Sequence, residues 1–239
     1  VWPGVRSPLV WDPSAIGTYL IGSSLFVYVA LIPDLALARD RARGPLRRLY
    51  SILALGFRGS TRQWQLQTLA GILLSALILP VFVSVHSIVS WDFAVSLVPT
   101  WHATIFAPYF VIGAVHSGVA AVVTLMVILR RALRLERYIT PDHFDALGRL
   151  LTVVATTWLY FTLLDIAFAL YSGAEEEVRV WELKFFQWPW NLLTILFFLT
   201  AYLIPVPLWL FRSVRRSPAA MFWTSILVNI GMWLERYLI

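Results

Sequence analysis

Residues 66–90 read LQTLAGILLSALILPVFVSVHSIVS, a stretch without a single Asp, Glu, Lys or Arg. A helix needs roughly 20 predominantly apolar residues to cross the hydrocarbon core of a bilayer. This stretch therefore predicts a transmembrane helix, with Arg62 ahead of it and Asp92 just beyond. Five more stretches read the same way: Ala15–Ala38, Thr104–Leu129, Leu147–Tyr171, Trp188–Phe211 and Pro218–Ile239. Each is bounded by charge, Pro or Gly. None alternates apolar and polar residues over ~10-residue segments, as the strands of a membrane barrel do. The expected fold is all-α: a polytopic transmembrane bundle of about six helices, a single transmembrane helical domain over residues 1–239. The chain opens on Val and stops inside an apolar segment at Ile239, so it reads as truncated at both ends.

Composition agrees. Of 239 residues 59% are hydrophobic and 13% charged, and mean hydropathy is +0.75. A soluble domain carries about 25% charged residues, so this chain could not cover a water-exposed surface. It has 12 Trp and 9 Tyr, residues whose apolar body and polar edge suit the membrane–water interface. The absence of cysteine excludes cysteine-ligated iron–sulfur clusters, CxxCH haem attachment, cysteine-rich zinc sites and disulfides in this sequence.

The net charge of +6 does not point to nucleic acid, because the basic residues stand in short blocks between apolar runs. Arg39, Arg41, Arg43, Arg47, Arg48, Arg58 and Arg62 lie in one connection. Arg130, Arg131, Arg134, Arg137 and Arg149 lie in another, and Arg212, Arg215 and Arg216 in a third. These are alternate connections, and they hold 15 of the 19 basic residues. The intervening connections carry Asp92, Glu175, Glu176, Glu177 and Glu182 against Arg179 and Lys184. Positive residues stay in the cytoplasm, which predicts Arg-rich loops inside, a first helix starting outside, and a multi-pass protein of a bacterial inner membrane. Pro205 and Pro207 predict a kink in the fifth span, because proline removes a backbone donor. The Glu175–Glu177 run reads as a solvated loop.

Ionisable groups are expensive inside a bilayer, so their depth is informative. At about 1.5 Å per residue, His86 lies roughly 6 Å from the outer end of its helix and Asp165 roughly 9 Å from its own. Asp12, Asp92 and His102 sit at the outer mouths, and Glu235 and Arg236 near the outer end of the sixth helix. Together they suggest a pocket in the outer third of the membrane for a lipid-soluble ligand that exchanges protons. A quinol fits, since its hydroxyls need hydrogen-bond partners and its oxidation releases two protons that carboxylates and imidazoles can accept. Taken singly, each of these residues is explained as well by the ordinary polarity of helix ends. His116 lies roughly 18 Å deep, near the midplane. It suggests a proton relay or a ligand, with Asp34 near the cytoplasmic end of the same path; a histidine hydrogen-bonded to a neighbouring helix is the plain alternative. Thr156, Thr157 and Tyr160 are the polar groups a structure would have to place beside it. His86 and His116 differ in depth by roughly 12 Å, which is too much for two axial ligands, so no haem is expected.

Several segments carry a family likeness: Arg6-Ser7-Pro8-Leu9-Val10-Trp11-Asp12, Leu31-Ile32-Pro33-Asp34-Leu35-Ala36, Ser84 to Ala94 around His86 and Trp91-Asp92, Trp101 to Phe110, and Asn229 to Arg236. They resemble the NrfD-like family, membrane subunits of polysulfide-reductase-type complexes, and most closely the quinol-binding membrane subunit of alternative complex III. The resemblance implies a subunit without haem or iron–sulfur cluster of its own. Such a subunit binds quinol (menaquinone or ubiquinone) near the outer face and passes electrons to an iron–sulfur protein docked there. It also implies other membrane subunits as partners, among them a homologous NrfD-like subunit, a cytochrome c-type subunit, and a part in proton translocation. The family's pocket aspartates match Asp12 and Asp92. A further pocket histidine belongs to an earlier helix with no match here, and the family's eight to ten helices exceed the six counted. Two other readings compete. A secondary transporter also uses midplane polar groups and broken helices, but no internal repeat is visible. A passive membrane anchor would not need the outer cluster.

Overall fold

The computed structural model describes residues 4, 7–94 and 105–239. The described chain is helical. It divides into two compact units, Val1–Val89 and Ser90–Ile239.

The first unit holds α1 (Pro8–Arg41), α2 (Pro45–Leu53) and most of α3 (Thr61–Ala94). Pro8 opens α1 where its missing N–H costs nothing, and Arg39 and Arg41 close it at the negative end of the helix dipole. Gly44, at φ +62°, turns the chain into α2, a conformation that a side chain would strain. The core here is small: Ile32, Ala36, Ala54 and Phe57. Two bonds pin the end of α1 to the chain that follows it. Tyr28 donates its hydroxyl to the Leu53 carbonyl at 2.7 Å, and Arg39 Nη1 donates to the Phe57 carbonyl at 2.9 Å. Higher up, the amide of Gln67 on α3 donates to the Val29 carbonyl of α1.

The second unit holds α4 (Phe106–Ala132), α5 (Pro141–Ser172), α6 (Glu175–Phe186), α7 (Trp190–Phe198), α8 (Pro205–Leu210), α9 (Arg212–Arg215) and α10 (Pro218–Leu238). Its core runs through Val123, Leu151, Trp158, Phe197, Trp209 and Val228. The kink expected at Pro205 takes the form of a π-helical turn, Leu199–Leu203, immediately ahead of the proline. The freed carbonyls there are taken up by a wider turn. Gly231 of α10 packs on this turn so closely that a Cβ would stand 2.7 Å from the Ala201 nitrogen.

Five helices among the described residues are long and apolar enough to cross a membrane. The sixth expected stretch also forms a helix, α10, but it is not one of those five. Its Thr224, Ser225 and Glu235 are buried inside the unit. Trp209 Nε1 donates to Thr224 Oγ1 at 3.0 Å, and Thr124 and Ser225 hydroxyls pair at 2.8 Å. One expectation fails. Glu175–Glu177 are not a loop but the first turn of α6, where three carboxylates meet the positive end of the helix dipole. His143 caps the first turn of α5: its Nδ1 lies 3.0 Å from both the backbone nitrogen and the hydroxyl of Thr140.

At the Arg-rich end of this unit the start of α5 is tied to α9. Arg215 Nε donates to Asp145 at 2.8 Å, and Arg216 pairs with Asp142. Gly148 gives the aliphatic part of Arg215 its place, since a Cβ there would stand 2.8 Å from Arg215 Cγ.

Candidate functional site

Helical spacing builds the site. On α4, Tyr109, Gly113, His116, Ala120 and Val123 recur at intervals of three and four, and all are buried. On α5, Leu151, Ala155, Trp158 and Thr162 form the facing row, and on α10 Val228, Met232 and Glu235 do. Where the rows meet lies Glu235, 2% exposed. It stands seventeen residues beyond Pro218 on α10, roughly 26 Å along the helix from the arginine end.

One carboxylate oxygen, Oε1, accepts from the Tyr109 hydroxyl and from Trp158 Nε1 at 2.8 Å. The other, Oε2, has no hydrogen-bond partner and lies 3.5 Å from Arg236 Nη2. Gly113 makes the approach possible: a Cβ there would come within 3.1 Å of the Arg236 guanidinium and 3.3 Å of Met232. The guanidinium carbon of Arg236 lies 4.1 Å above the centre of the Phe110 ring, a cation–π arrangement.

Beside Glu235 is a cavity of about 30 Å³ lined by Tyr109, Thr162, Trp181, Lys184 and Thr194 among others. Trp181 Nε1 and Thr194 Oγ1 are also buried without partners. A void of this size takes a water molecule, and a buried water needs two to four polar partners. It is far below the 300–1,000 Å³ of a typical ligand pocket. Asp165 follows Trp158 and Thr162 on the same face of α5, half-buried. The Lys184 ammonium lies 4.7 Å over the Trp181 ring. Burial pushes the Lys184 pKa below the ordinary lysine range, while the Asp165 and Glu235 carboxylates pull it back up.

His116 is fully buried, and both ring nitrogens lack partners. Its ring centre is 6.0 Å from that of Trp158. The indole has a donor and no acceptor, so it links His116 to Glu235 by packing and not by a hydrogen-bonded relay. Thr156 and Thr157 bond carbonyls of their own helix, and Tyr160 is exposed.

The first unit holds three of the expected residues. His86 Nδ1 is 2.9 Å from the Phe82 carbonyl of its own helix, and its ring packs on Phe82 and edge-on against Tyr19. Asp12 has one buried carboxylate oxygen without a partner. Asp34 is exposed on α1. In the second unit Asp92 lies half-buried at the end of α3, and His102 falls outside the described residues. Among the expected residues, then, the structure joins Glu235 with Arg236 and ranges Asp165 and His116 around them. Tyr109, Trp158, Trp181 and Lys184 belong to the same cluster and were not anticipated. The indole edge of a mid-span tryptophan, which needs a partner when buried, was the available signal for Trp158.

A bundle whose helices are long and apolar enough to cross a bilayer defines a class, the polytopic helical membrane proteins. The family follows from comparison. The chain matches the family model described as polysulphide reductase, NrfD, over residues 2–239, and it belongs to that family. Its members are membrane subunits of quinol oxidoreductase complexes that partner with iron–sulfur and other membrane subunits. No curated protein matches the chain.

Proposed function

We propose that this subunit binds quinol near the outer membrane face, with the Arg-rich loops in the cytoplasm, and oxidises it. Two electrons pass to an iron–sulfur partner docked outside, and two protons pass to residues of the subunit. The likeness to the quinol-binding subunit of alternative complex III belongs to this reading, with a cytochrome c-type subunit and a second NrfD-like subunit as further partners. The chain itself is proposed to carry no haem.

The observation that carries the reading is the Glu235 cluster. A carboxylate, a phenol and an indole share one hydrogen-bonded node at the end of the second unit remote from its Arg-rich end. One carboxylate oxygen has no hydrogen-bond partner, and Glu235 lines a water-sized cavity. That cavity cannot take a quinol ring, so Glu235 receives a proton through it and does not touch the ring. Asp12 and His86 of the first unit, and Asp92, His102, Asp165 and Arg236 of the second, are the further residues proposed to serve quinol. His116 and Asp34 are assigned to proton movement towards the inner side.

The test uses the purified complex. General acid–base groups contribute about 10²–10⁴ in rate, so Glu235→Gln should slow quinol oxidation at least about 100-fold while the complex stays assembled. Asp12→Asn and Asp92→Asn should slow it as well. Normal rates in all three variants would remove the site from the reaction. Sidedness is tested by single cysteines at Arg137 and Glu176. An impermeant reagent added outside should reach the second and not the first.

A further inference from the structure

We propose that the Arg-rich end of the second unit holds one anionic phospholipid, bound by its phosphodiester between the end of α4 and the start of α10. The proposal is independent of the quinol reading. A cavity of about 750 Å³ opens there. Its polar rim is Arg130, Arg131 and Glu136, and its wall includes Ile128, Phe222 and Trp223.

Three features fit a lipid. The first is the state of the arginines. Three of the cations at this end are already paired: Arg215 and Arg149 with Asp145, and Arg216 with Asp142. Arg130 gives its Nε to the Ile139 carbonyl at 2.8 Å and has no acidic partner. Arg131 is exposed and makes no ion pair or hydrogen bond among the described residues. Two guanidiniums against one carboxylate leave the rim one net positive charge, which one phosphodiester neutralises.

The second is the position of the apolar wall. Trp223 is five residues into α10 from Pro218, roughly 7 Å deeper, and Ile128 precedes the arginines on α4. Trp223 is 65% exposed and Ile128 49%. An acyl chain leaving a phosphate at the rim would run along them. The third is the start of α10, which adds the positive end of a 21-residue helix to the rim. Basic pockets between transmembrane helices at a membrane surface take anionic lipid headgroups by this combination of charge and apolar wall.

The experiment is native mass spectrometry of the whole complex, released from nanodiscs of equal phosphatidylglycerol and phosphatidylethanolamine. Wild type should keep a phosphatidylglycerol through stepwise delipidation. A basic residue near a membrane surface is worth enough to hold an anionic lipid about fivefold more often, so Arg131→Gln should lower its retention by about that factor. Glu136→Gln, which removes the one repulsive charge, should raise it. Arg134→Gln, an exposed arginine outside the cavity, should change nothing. The proposal fails if Arg131→Gln retains phosphatidylglycerol as wild type does. Parallel loss of both lipids would overturn it too, because the apolar wall alone would then account for binding. So would a structure of the complex in which a helix of another subunit fills the groove.

Discussion

The two units satisfy their polar groups in different ways. In the first, the hydroxyls of Ser14, Thr18, Thr68 and Ser75 each donate to the carbonyl four residues back on their own helix. There the bonds between helices run from a side chain to backbone, as from Gln67 to Val29; in the second unit side chains also bond to side chains across helices: Thr124 to Ser225, Trp209 to Thr224, Trp158 and Tyr109 to Glu235. Burial follows the same division. In the most apolar windows of α1 and α3, 6% of residues are buried, against 22% in α4, 28% in α5 and 33% in Trp190–Leu210. A hydroxyl bonded to its own helix says nothing about which face meets a neighbour. One bonded across helices fixes register and rotation. The second unit is therefore self-specified, whereas α1 and α3 have fewer buried residues to fix their faces.

The largest effect that could break this contrast comes from two glycines. In Gly231→Ala the new methyl would meet the Ala201 nitrogen at 2.7 Å and Thr200 Oγ1 at the same distance. Backbone cannot yield as a side-chain tip does, so overpacking should cost about 3 kcal/mol. At Gly17 in the first unit a Cβ meets nothing within 4 Å, and alanine should be neutral or stabilise the helix by up to about 1 kcal/mol. Thermal unfolding of the purified complex compares them. Equal losses would mean that α1 is packed as tightly as α10.

A smaller effect is expected from single donors. Trp158→Phe keeps most of the packing but removes one of the two donors to Glu235, and a hydrogen bond to a charged group is worth about 1.5–3 kcal/mol. His86→Phe removes a bond to the histidine's own helix and should cost about 1 kcal/mol or less. Stability is the readout here, separate from the quinol oxidation that His86 is proposed to serve. If the His86 variant loses more stability than the Trp158 variant, the cross-helix bonds do not hold the second unit together.

What was legible in the sequence follows the same line. Span length and apolarity are local properties, so the helices were readable from counts of residues, and Pro205 announced the break that became a π turn. The depth of His116 was readable by counting residues. Its neighbour was not, because rotation about α4 and α5 decides whether Trp158, Thr157 or Tyr160 faces it. Tyr109 and Glu235 are separated by 126 positions in the chain, and no spacing rule joins them. The acidic run at Glu175 was misread for a different reason. Its composition is that of a solvated loop, but Val178 and Trp181 behind it are half-buried, and carboxylates at an N-terminus favour the helix.

The smallest effect concerns Lys184, outside the spans on α6 and facing the Glu235 cavity. Burial lowers its pKa in the folded protein more than Asp165 and Glu235 raise it. The sign follows from proton counts. Between the lowered folded value and the ordinary value of about 10.4, the unfolded chain binds more protons at this residue than the folded one. Stability from Lys184 therefore rises with pH through that window and is flat above it. Lys184→Met removes the titrating group while keeping an unbranched apolar stem over Trp181. The melting temperature of the variant complex should exceed that of wild type at neutral pH, and the gap should close as pH approaches 10. A gap that widens with pH would mean that the folded protein holds the ammonium more firmly than water does. The carboxylates of Asp165 and Glu235 would then dominate over burial, and Lys184 would have to be counted as an ion-pair partner of the site.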